Sequence, residues 1–496
     1  MPGRFRGTSI ETKEDNQAAG SAALPRETTR CVSVTQSKRM ALPARRSVVL
    51  LLILVVGPLA AQSVPPMADF SVEGPHPRLL LPARRLRLLG RERERQSMRW
   101  LQLQALVETG EQLPEPGFAY ALAYVASGQA RYARRAVEWA LSFGEDLRQL
   151  ALVYDWCHDQ LAPEEAARLA DGLRQGLERA RSLPAGVAQV RDRVLAAVAL
   201  ADVDPEAASA ELRFAVDEWW AGRIIPALRR GEEAIGRQET YPLLEILHVV
   251  REQFKIDLRE SLKSWFAALP IYHLLTYYPA PYSAPGGDFH IPVFDGGGEP
   301  DLRQAALSRA AELSLVAFDP NALETQFVQG WCMQDRFMMR DPFGAPYEFF
   351  WANPYHPGLS YHNAPLALHR PESGLLVARS SWDEDAIWFY HGGGIIQTFL
   401  EGRIRRLTPA DLNHPLVVGR LVVRSLPADG RFEVATSEET TTWYVVGLEA
   451  LERYEIEVDD EEVFELKTDA GGILKLEFPA NRRAGVLIRP AGGRLG

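Results

Sequence analysis

Hydrophobic periodicity changes once along this chain, and that change limits the fold more than any other feature. Between residues 82 and 331 apolar side chains recur every three or four positions, which predicts amphipathic helices. From Gly374 onward, short segments bounded by Gly, Pro and Asp predict β-strands. The clearest helical segments are Phe118–Ala126, Ala130–Phe143, Glu164–Arg181, Val190–Ala201, Glu206–Leu228 and Leu302–Ala317.

The order of these elements predicts a multidomain chain, α first and β second. Amphipathic helices joined by short connections must cover one another's apolar stripes, which gives a bundle, a solenoid or a closed ring. Spacing alone does not choose among the three. Regular short strands with turn signals favour an antiparallel sandwich.

The N-terminal part has the layout of an export signal. Arg45-Arg46-Ser47 precede the apolar run 48–56, and small residues follow up to Gln62. The run is shorter than the ~20 residues that a membrane span needs. Because Met40 stands just ahead of it, we interpret residues 1–39 as a doubtful leader and 40–61 as a signal peptide. This predicts a secreted or periplasmic protein; the alternative is a disordered leader on a membrane-anchored protein.

Composition excludes several classes of protein. With 55 Lys+Arg against 65 Asp+Glu the net charge is −10, which argues against a nucleic-acid partner. Cys31, Cys157 and Cys332 lie far apart and predict no disulfide framework. No metal-ligand motif is recognisable, so we predict no metal residues. The sequence requires no cofactor, although a structural divalent metal stays possible.

Three segments resemble the heparinase II/III-like polysaccharide lyases. They are the opening His76–Leu81, the Tyr-Asp-Trp helix within Ala151–Leu161, and the Arg-Ser-x-Trp junction within Gly374–Ala386. The resemblance implies an incomplete (α/α) toroid of helical hairpins followed by an antiparallel β-sandwich. We accordingly expect a toroid domain at 62–340, an aromatic and proline-rich linker at 341–373, and a sandwich at 374–496.

The chain departs from the family pattern at two places. The polar segment that brings a sandwich histidine to the cleft is missing, because Tyr390–Gly394 runs directly into Ile395. The family's Asn-His pair is also missing, and Arg191-Asp192-Arg193 stands about where it would be.

Uronate lyases need three groups: a cation that neutralises the sugar carboxylate, a base that removes a proton, and an acid that protonates the leaving oxygen. The segment 231–241 offers Tyr241 as the acid/base, Arg237 as the carboxylate clamp, and Gln238 and Glu239 as sugar-binding groups. Alternatively, Glu239 and Thr240 cap the following helix while Tyr241 packs.

Two further segments carry candidate residues. The glycine-rich loop 282–298 contains the polar residues Asp288 and His290. In the aromatic linker, His362 could act as the base in place of the missing histidine, and Asn363 could bind a substrate carboxylate. An ordered surface loop and a purely structural linker are the alternatives. Trp265, Trp331 and Trp351 are candidate sugar platforms, although single tryptophans more often belong to a core.

These observations predict a secreted protein that binds an acidic, uronate-containing polysaccharide or oligosaccharide and cleaves it by β-elimination. One alternative is an inactive glycan-binding or structural homologue. Another is a toroid glycoside hydrolase that uses two carboxylates, such as Asp288 and Glu239. We expect no stable membrane span after signal cleavage.

Overall fold

The computed structural model describes residues 70–109 and 112–492, which belong to one compact unit. The predicted leader and signal peptide lie outside the described residues. No helix in these two ranges is long and apolar enough to cross a membrane. Cys157 and Cys332 are buried and unpaired.

The first part of the described chain is helical. Its helices are α1 Ala83–Glu94, α2 Met98–Thr109, α3 Pro116–Ser127, α4 Ala130–Phe143, α5 Leu147–Trp156, α6 Pro163–Arg181, α7 Val187–Leu200, α8 Pro205–Arg213, α9 Ile225–Arg229, α10 Thr240–Phe254, α11 Lys263–Leu275, α12 Leu302–Phe318, α13 Leu323–Cys332 and α14 Gly344–Trp351. A π-helical segment, Phe214–Ile224, joins α8 to α9 without a break.

Helices α3, α5, α7, α10, α12 and α14 form an inner ring, in which each contacts the next and α14 returns to α3. Helices α4, α6, α8, α11 and α13 pack outside this ring. The helical region is therefore an α/α toroid, as its resemblance to the lyase family predicted.

Position in the ring explains the sequence of each helix. All ten residues of the inner helix α5 are buried, and Asp146 caps its start by accepting a hydrogen bond from the Gln149 backbone. The outer helix α4 buries only one stripe, which includes Tyr132, Ala136 and Val137. A helix between two layers needs apolar side chains all round, whereas an outer helix keeps one polar face.

The strands form three larger sheets and one hairpin. They are β1 Tyr282–Ala284, β2 Gly287–Phe289, β3 Ala367–Arg370, β4 Leu375–Arg379, β5 Trp388–Gly392, β6 Ile395–Leu400, β7 Arg403–Arg406, β8 Leu416–Val418, β9 Leu421–Ser425, β10 Arg431–Ala435, β11 Thr441–Val446, β12 Arg453–Val458, β13 Glu462–Lys467, β14 Leu474–Phe478 and β15 Arg483–Pro490. The strand orders are β3-β4-β5-β6-β7, β14-β11-β9-β8 and β10-β15-β12-β13. All pairs are antiparallel except β9 with β11.

The three sheets are stacked, and this extends the two-sheet sandwich that the sequence predicted. The middle sheet is buried on both faces: Val423 packs toward the first sheet and Val422 toward the third. The first sheet is also covered twice, because Val377 joins the toroid core while Leu376 and Ala378 face the middle sheet. Alternation along a strand sends successive side chains to opposite faces.

Two features of the region 341–373 differ from the linker that we expected there. Residues Gly344–Trp351 form α14, the last inner helix, and Ala367–Arg370 form β3. All eight residues of α14 are buried. A helix enclosed on every side shows no polar face, so its sequence carries no helical periodicity.

Candidate functional site

A cavity of about 550 Å³ lies where the helical ring meets the first β-sheet. The toroid contributes the segment after α9 and one side of α11, and the sheet contributes the β3–β4 turn and the end of β5. We call this cavity the cleft. Its polar and aromatic lining consists of Arg229, Glu232, Glu233, Thr240, Ser264, Trp265, Tyr272, Arg370, Glu372, Ser373 and Tyr390.

Two glycine positions shape the cleft walls. Gly231 has φ +80°, and a Cβ there would lie 1.8 Å from the carbonyl oxygen of Glu372, so only glycine permits this approach of the toroid to the β3–β4 turn. Gly393 and Gly394 have φ +55° and +75° and close the β5–β6 hairpin. Two successive positive φ values are typical of a type I′ turn. This tight turn joins β5 directly to β6.

Aromatic side chains line the cleft from both sides. Tyr272 and the half-buried Trp265 come from α11, and Tyr390 comes from β5. The indole of Trp388 stacks against the Tyr390 ring, with centroids 5.8 Å apart and planes 9° apart. The Trp388 indole N–H also donates to the carbonyl of Leu275 at the end of α11 (2.7 Å). These contacts fix Tyr390 relative to α11.

Two cations line the cleft, Arg229 and Arg370, and Arg370 is the one with a buried guanidinium nitrogen that makes no hydrogen bond. Its guanidinium carbon lies 5.0 Å from the centre of the Tyr272 ring. Its Nη2 atom is buried without a hydrogen-bond partner. Burial lowers the pKa of Arg370, while Glu372 acts in the opposite direction. A half-buried cation with an unused donor is suited to bind a ligand carboxylate.

The two cleft tyrosines retain their protons at neutral pH. Burial raises the pKa of both Tyr272 and Tyr390, and the charge of Glu233 raises both further. The charge of Arg237 and, more weakly, that of Arg370 lower the pKa of Tyr272. A protonated phenol can donate a proton to a departing oxygen, so these hydroxyls suit the role of general acid.

Tyr241, the sequence candidate for acid/base, lies inside the toroid ring and is 2% exposed. Its hydroxyl donates to Glu245 (2.8 Å) and accepts from the Trp351 indole N–H (3.0 Å). Burial, followed by the charge of Glu245, raises its pKa well above the usual value. Arg148 and Arg191 also bind Glu245, at 2.8 and 2.7 Å.

The other candidates from segment 231–241 separate in space. Arg237 is buried, where it donates to Ser308 (3.1 Å) and the carbonyl of His273 (3.0 Å) and pairs with Glu312 (3.3 Å). Gln238 is exposed, and Glu239 is half-buried and makes no capping hydrogen bond to α10.

His290 lies in an aromatic box. Its ring centre is 4.1 Å from that of Trp331 and 3.7 Å from that of Phe337, and both ring nitrogens are buried without partners. Burial lowers its pKa well below the ordinary value, so the ring is neutral. The adjoining cavity of about 20 Å³ has room for one water molecule. Asp288, on β2, accepts a hydrogen bond from Ser283 (2.5 Å).

The remaining candidates do not join a common site. His362 and Asn363 are exposed on a 3₁₀ turn, with the His362 ring stacked on Tyr361. Trp331 and Trp351 are 4% and 1% exposed. Of the three candidate tryptophans, only Trp265 lines the cleft.

Sequence reasoning did not find Tyr272, Arg370 and Tyr390, which line the cleft together. The adjacent glycines Gly392–Gly394 were the available signal, since they mark the end of β5, where Tyr390 lines the cleft. Among the described residues, one group of side chains could hold a metal: His76, His158 and Asp202.

Comparisons with known proteins gave matches in solved structures only. No protein-family model and no curated protein sequence matched the chain. Heparan sulfate lyase HepC from Pedobacter heparinus is 12% identical, aligns over 76% of this chain and 75% of the lyase, and gives a TM-score of 0.34.

Two carbohydrate-active enzymes align more weakly. A glycoside hydrolase is 9% identical over 76% of this chain and 71% of its own, with a TM-score of 0.27. A β-arabinofuranosidase of the GH127 group is 9% identical over 86% and 80%, with a TM-score of 0.25. The contacts between the helices and the pairing of the strands establish the fold.

Proposed function

We propose that the cleft binds an acidic, uronate-containing polysaccharide and cleaves it by β-elimination. The observation that carries this proposal is the composition of the cleft, which combines a half-buried cation that has an unused donor with two protonated tyrosines and an indole. Sugars stack on aromatic rings through their apolar faces, and a guanidinium pairs with a carboxylate.

The proposed reaction assigns one role to each group. Arg370 binds the uronate carboxylate, which makes the neighbouring C–H more acidic. Glu233 accepts that proton, the electron pair forms the carbon–carbon double bond, and the bond to the 4-linked oxygen breaks. Tyr390 donates a proton to this oxygen, and Tyr272 positions Arg370 through its ring.

A panel of uronate polymers tests this reaction. The full chain is incubated with polygalacturonate, alginate or hyaluronan, and the ultraviolet absorbance of an unsaturated product is followed. We expect product with at least one polymer and its loss in Tyr390→Phe and Arg370→Gln. Tyr355→Phe is the matched control, because Tyr355 is an exposed tyrosine that contacts Arg95 rather than the cleft.

The other outcomes separate the alternatives. New reducing ends without ultraviolet absorbance would indicate a glycoside hydrolase, and binding without any product would indicate an inactive glycan-binding homologue. Product formation that is unchanged in both cleft variants would exclude the cleft as the active site. Failure to bind any uronate polymer would overturn the proposal as a whole.

We further propose that the protein is exported, since residues 40–61 have the layout of a signal peptide. N-terminal sequencing of protein recovered from the periplasm or medium should read from about Gln62. Full-length protein retained in the cytoplasm would contradict export.

A further inference from the structure

His76, His158 and Asp202 come together from three separate parts of the chain. His76 lies in the segment ahead of α1, His158 lies two residues after the end of α5, and Asp202 lies in the turn between α7 and α8. Their nearest ligand atoms all lie within 4.8 Å of one another. This group, the His76 cluster, is distinct from the residues that line the cleft.

The hydrogen bonds of His76 prepare one nitrogen for a ligand. Its Nδ1 lies 2.6 Å from Oδ1 of Asp155, whose carboxylate also accepts the backbone N–H groups of Arg78 and Leu79 at 2.8–2.9 Å. Because the Asp155 carboxylate acts as an acceptor, the proton of a neutral His76 sits on Nδ1. The lone pair of Nε2 is then free.

Nε2 of His76 has no hydrogen-bond partner, although the side chain is only 8% exposed. It lies 3.5 Å from Oδ1 of Asp202. Two neighbouring ligands on a tetrahedral ion with bonds of 2.0–2.1 Å are separated by ~3.4 Å. In metal sites, a histidine that binds the ion through one ring nitrogen usually donates its other ring N–H to a carboxylate, as Nδ1 of His76 does to Asp155.

The second histidine lies on the same side. The rings of His76 and His158 are stacked with centroids 4.0 Å apart and planes 14° apart. One nitrogen of each ring and an Asp202 carboxylate oxygen lie within 4.8 Å of one another. Asp202 also accepts from Arg78 at 3.2 Å, but a carboxylate has about four lone-pair sites and can hold both groups.

We propose that the His76 cluster binds one divalent transition-metal ion, with Zn²⁺ as the preferred ion. Two imidazoles and one carboxylate suit Zn²⁺ and its neighbours better than Ca²⁺ or Mg²⁺, which favour oxygen ligands. The partly exposed Asp202 gives the ion a route from solvent. The bound ion would fasten the segment ahead of α1 to the ends of two inner helices.

Metal titration of the full chain tests this site. Chelator-treated protein is titrated with Zn²⁺ in competition with a chromophoric chelator, and thermal unfolding is followed with and without Zn²⁺. We expect one ion bound with an affinity that falls by at least about tenfold in His158→Ala and in Asp202→Asn. The exposed His414, replaced in His414→Ala, is the matched control and should leave the affinity unchanged.

Asp202→Asn keeps the size of an exposed side chain, so it separates loss of the ligand from loss of the fold. Zn²⁺ should raise the unfolding temperature of the wild type and of His414→Ala, but not of His158→Ala. Equal affinity in the wild type, His158→Ala and Asp202→Asn would overturn the site, and so would a wild type that binds no ion.

Discussion

Replacing Glu245 with Gln should destabilise the toroid more than any surface charge change. Glu245 is fully buried and accepts hydrogen bonds from Arg148 at 2.8–3.1 Å and from Arg191 at 2.7 Å. The neutral amide would leave both guanidinium groups without their common counter-charge.

The magnitude follows from two independent arguments. Despite the opposing effect of burial, Arg148 and Arg191 lower the pKa of Glu245 from 4.5 to about 2. At ~1.4 kcal/mol per pKa unit this corresponds to roughly 3 kcal/mol. Removing one partner from a buried ion pair typically costs about 3–5 kcal/mol. We therefore expect Glu245→Gln to lower the free energy of unfolding by about 3–4 kcal/mol.

Urea unfolding followed by tryptophan fluorescence measures this change. The control is Glu178→Gln, because the Glu178 side chain is 70% exposed and pairs with Arg181 only at the surface. We expect its urea midpoint to match the wild type. A Glu245→Gln variant within about 0.5 kcal/mol of the wild type would refute the reasoning.

The lowered pKa of Glu245 also predicts how the free energy of unfolding depends on pH. Because the pKa of Glu245 is lower in the folded state than in the unfolded state, its stabilisation is complete above about pH 4.5. It is lost as the pH falls from there toward about 2. The stability difference between wild type and Glu245→Gln should therefore narrow across this range, and a constant difference would contradict the pKa shift.

Two further substitutions test positions inside the ring and beside the cleft. Tyr241→Phe removes a hydroxyl that is hydrogen-bonded to both Glu245 and Trp351. The free energy of unfolding should therefore fall by about 1–3 kcal/mol, and an unchanged urea midpoint would argue against this network. Gly231→Ala should lower the thermal midpoint and weaken glycan binding, because its Cβ meets a carbonyl of the β3–β4 turn. Gly128→Ala, at φ +69° with open space around it, controls for backbone strain alone.

Periodicity predicted the fold well where a helix or strand has two different sides, or where an apolar run is bounded by turns. The outer helix α4 was predicted from Ala130–Phe143 and has those bounds. The strand Leu375–Arg379 was also predicted, because its apolar residues follow a glycine. Helix α14 was missed because it is enclosed on all sides, and β3 was missed because it is short and follows prolines.

The candidate site was less predictable, because it depends on how distant segments meet. Tyr272 belongs to a largely buried helix and reads as a core residue, and Arg370 stands beside a proline in what looked like a linker. The resemblance drew attention to Tyr241 and Arg237, which the structure places in buried hydrogen-bond networks. The three residues of the His76 cluster are far apart in the sequence, so no local motif could predict the cluster.

The contact of the first β-sheet with the helices decides whether the β-region could exist as a separate protein. Its residues Trp388 and Phe399 belong to the toroid core, so the sheet has no face that could be opened to water without exposing aromatic rings. A chain of residues 374–496 alone would expose the large apolar face that the helices normally cover, and it would have a strong tendency to aggregate. The β-region therefore depends on these helices to cover one face of its first sheet.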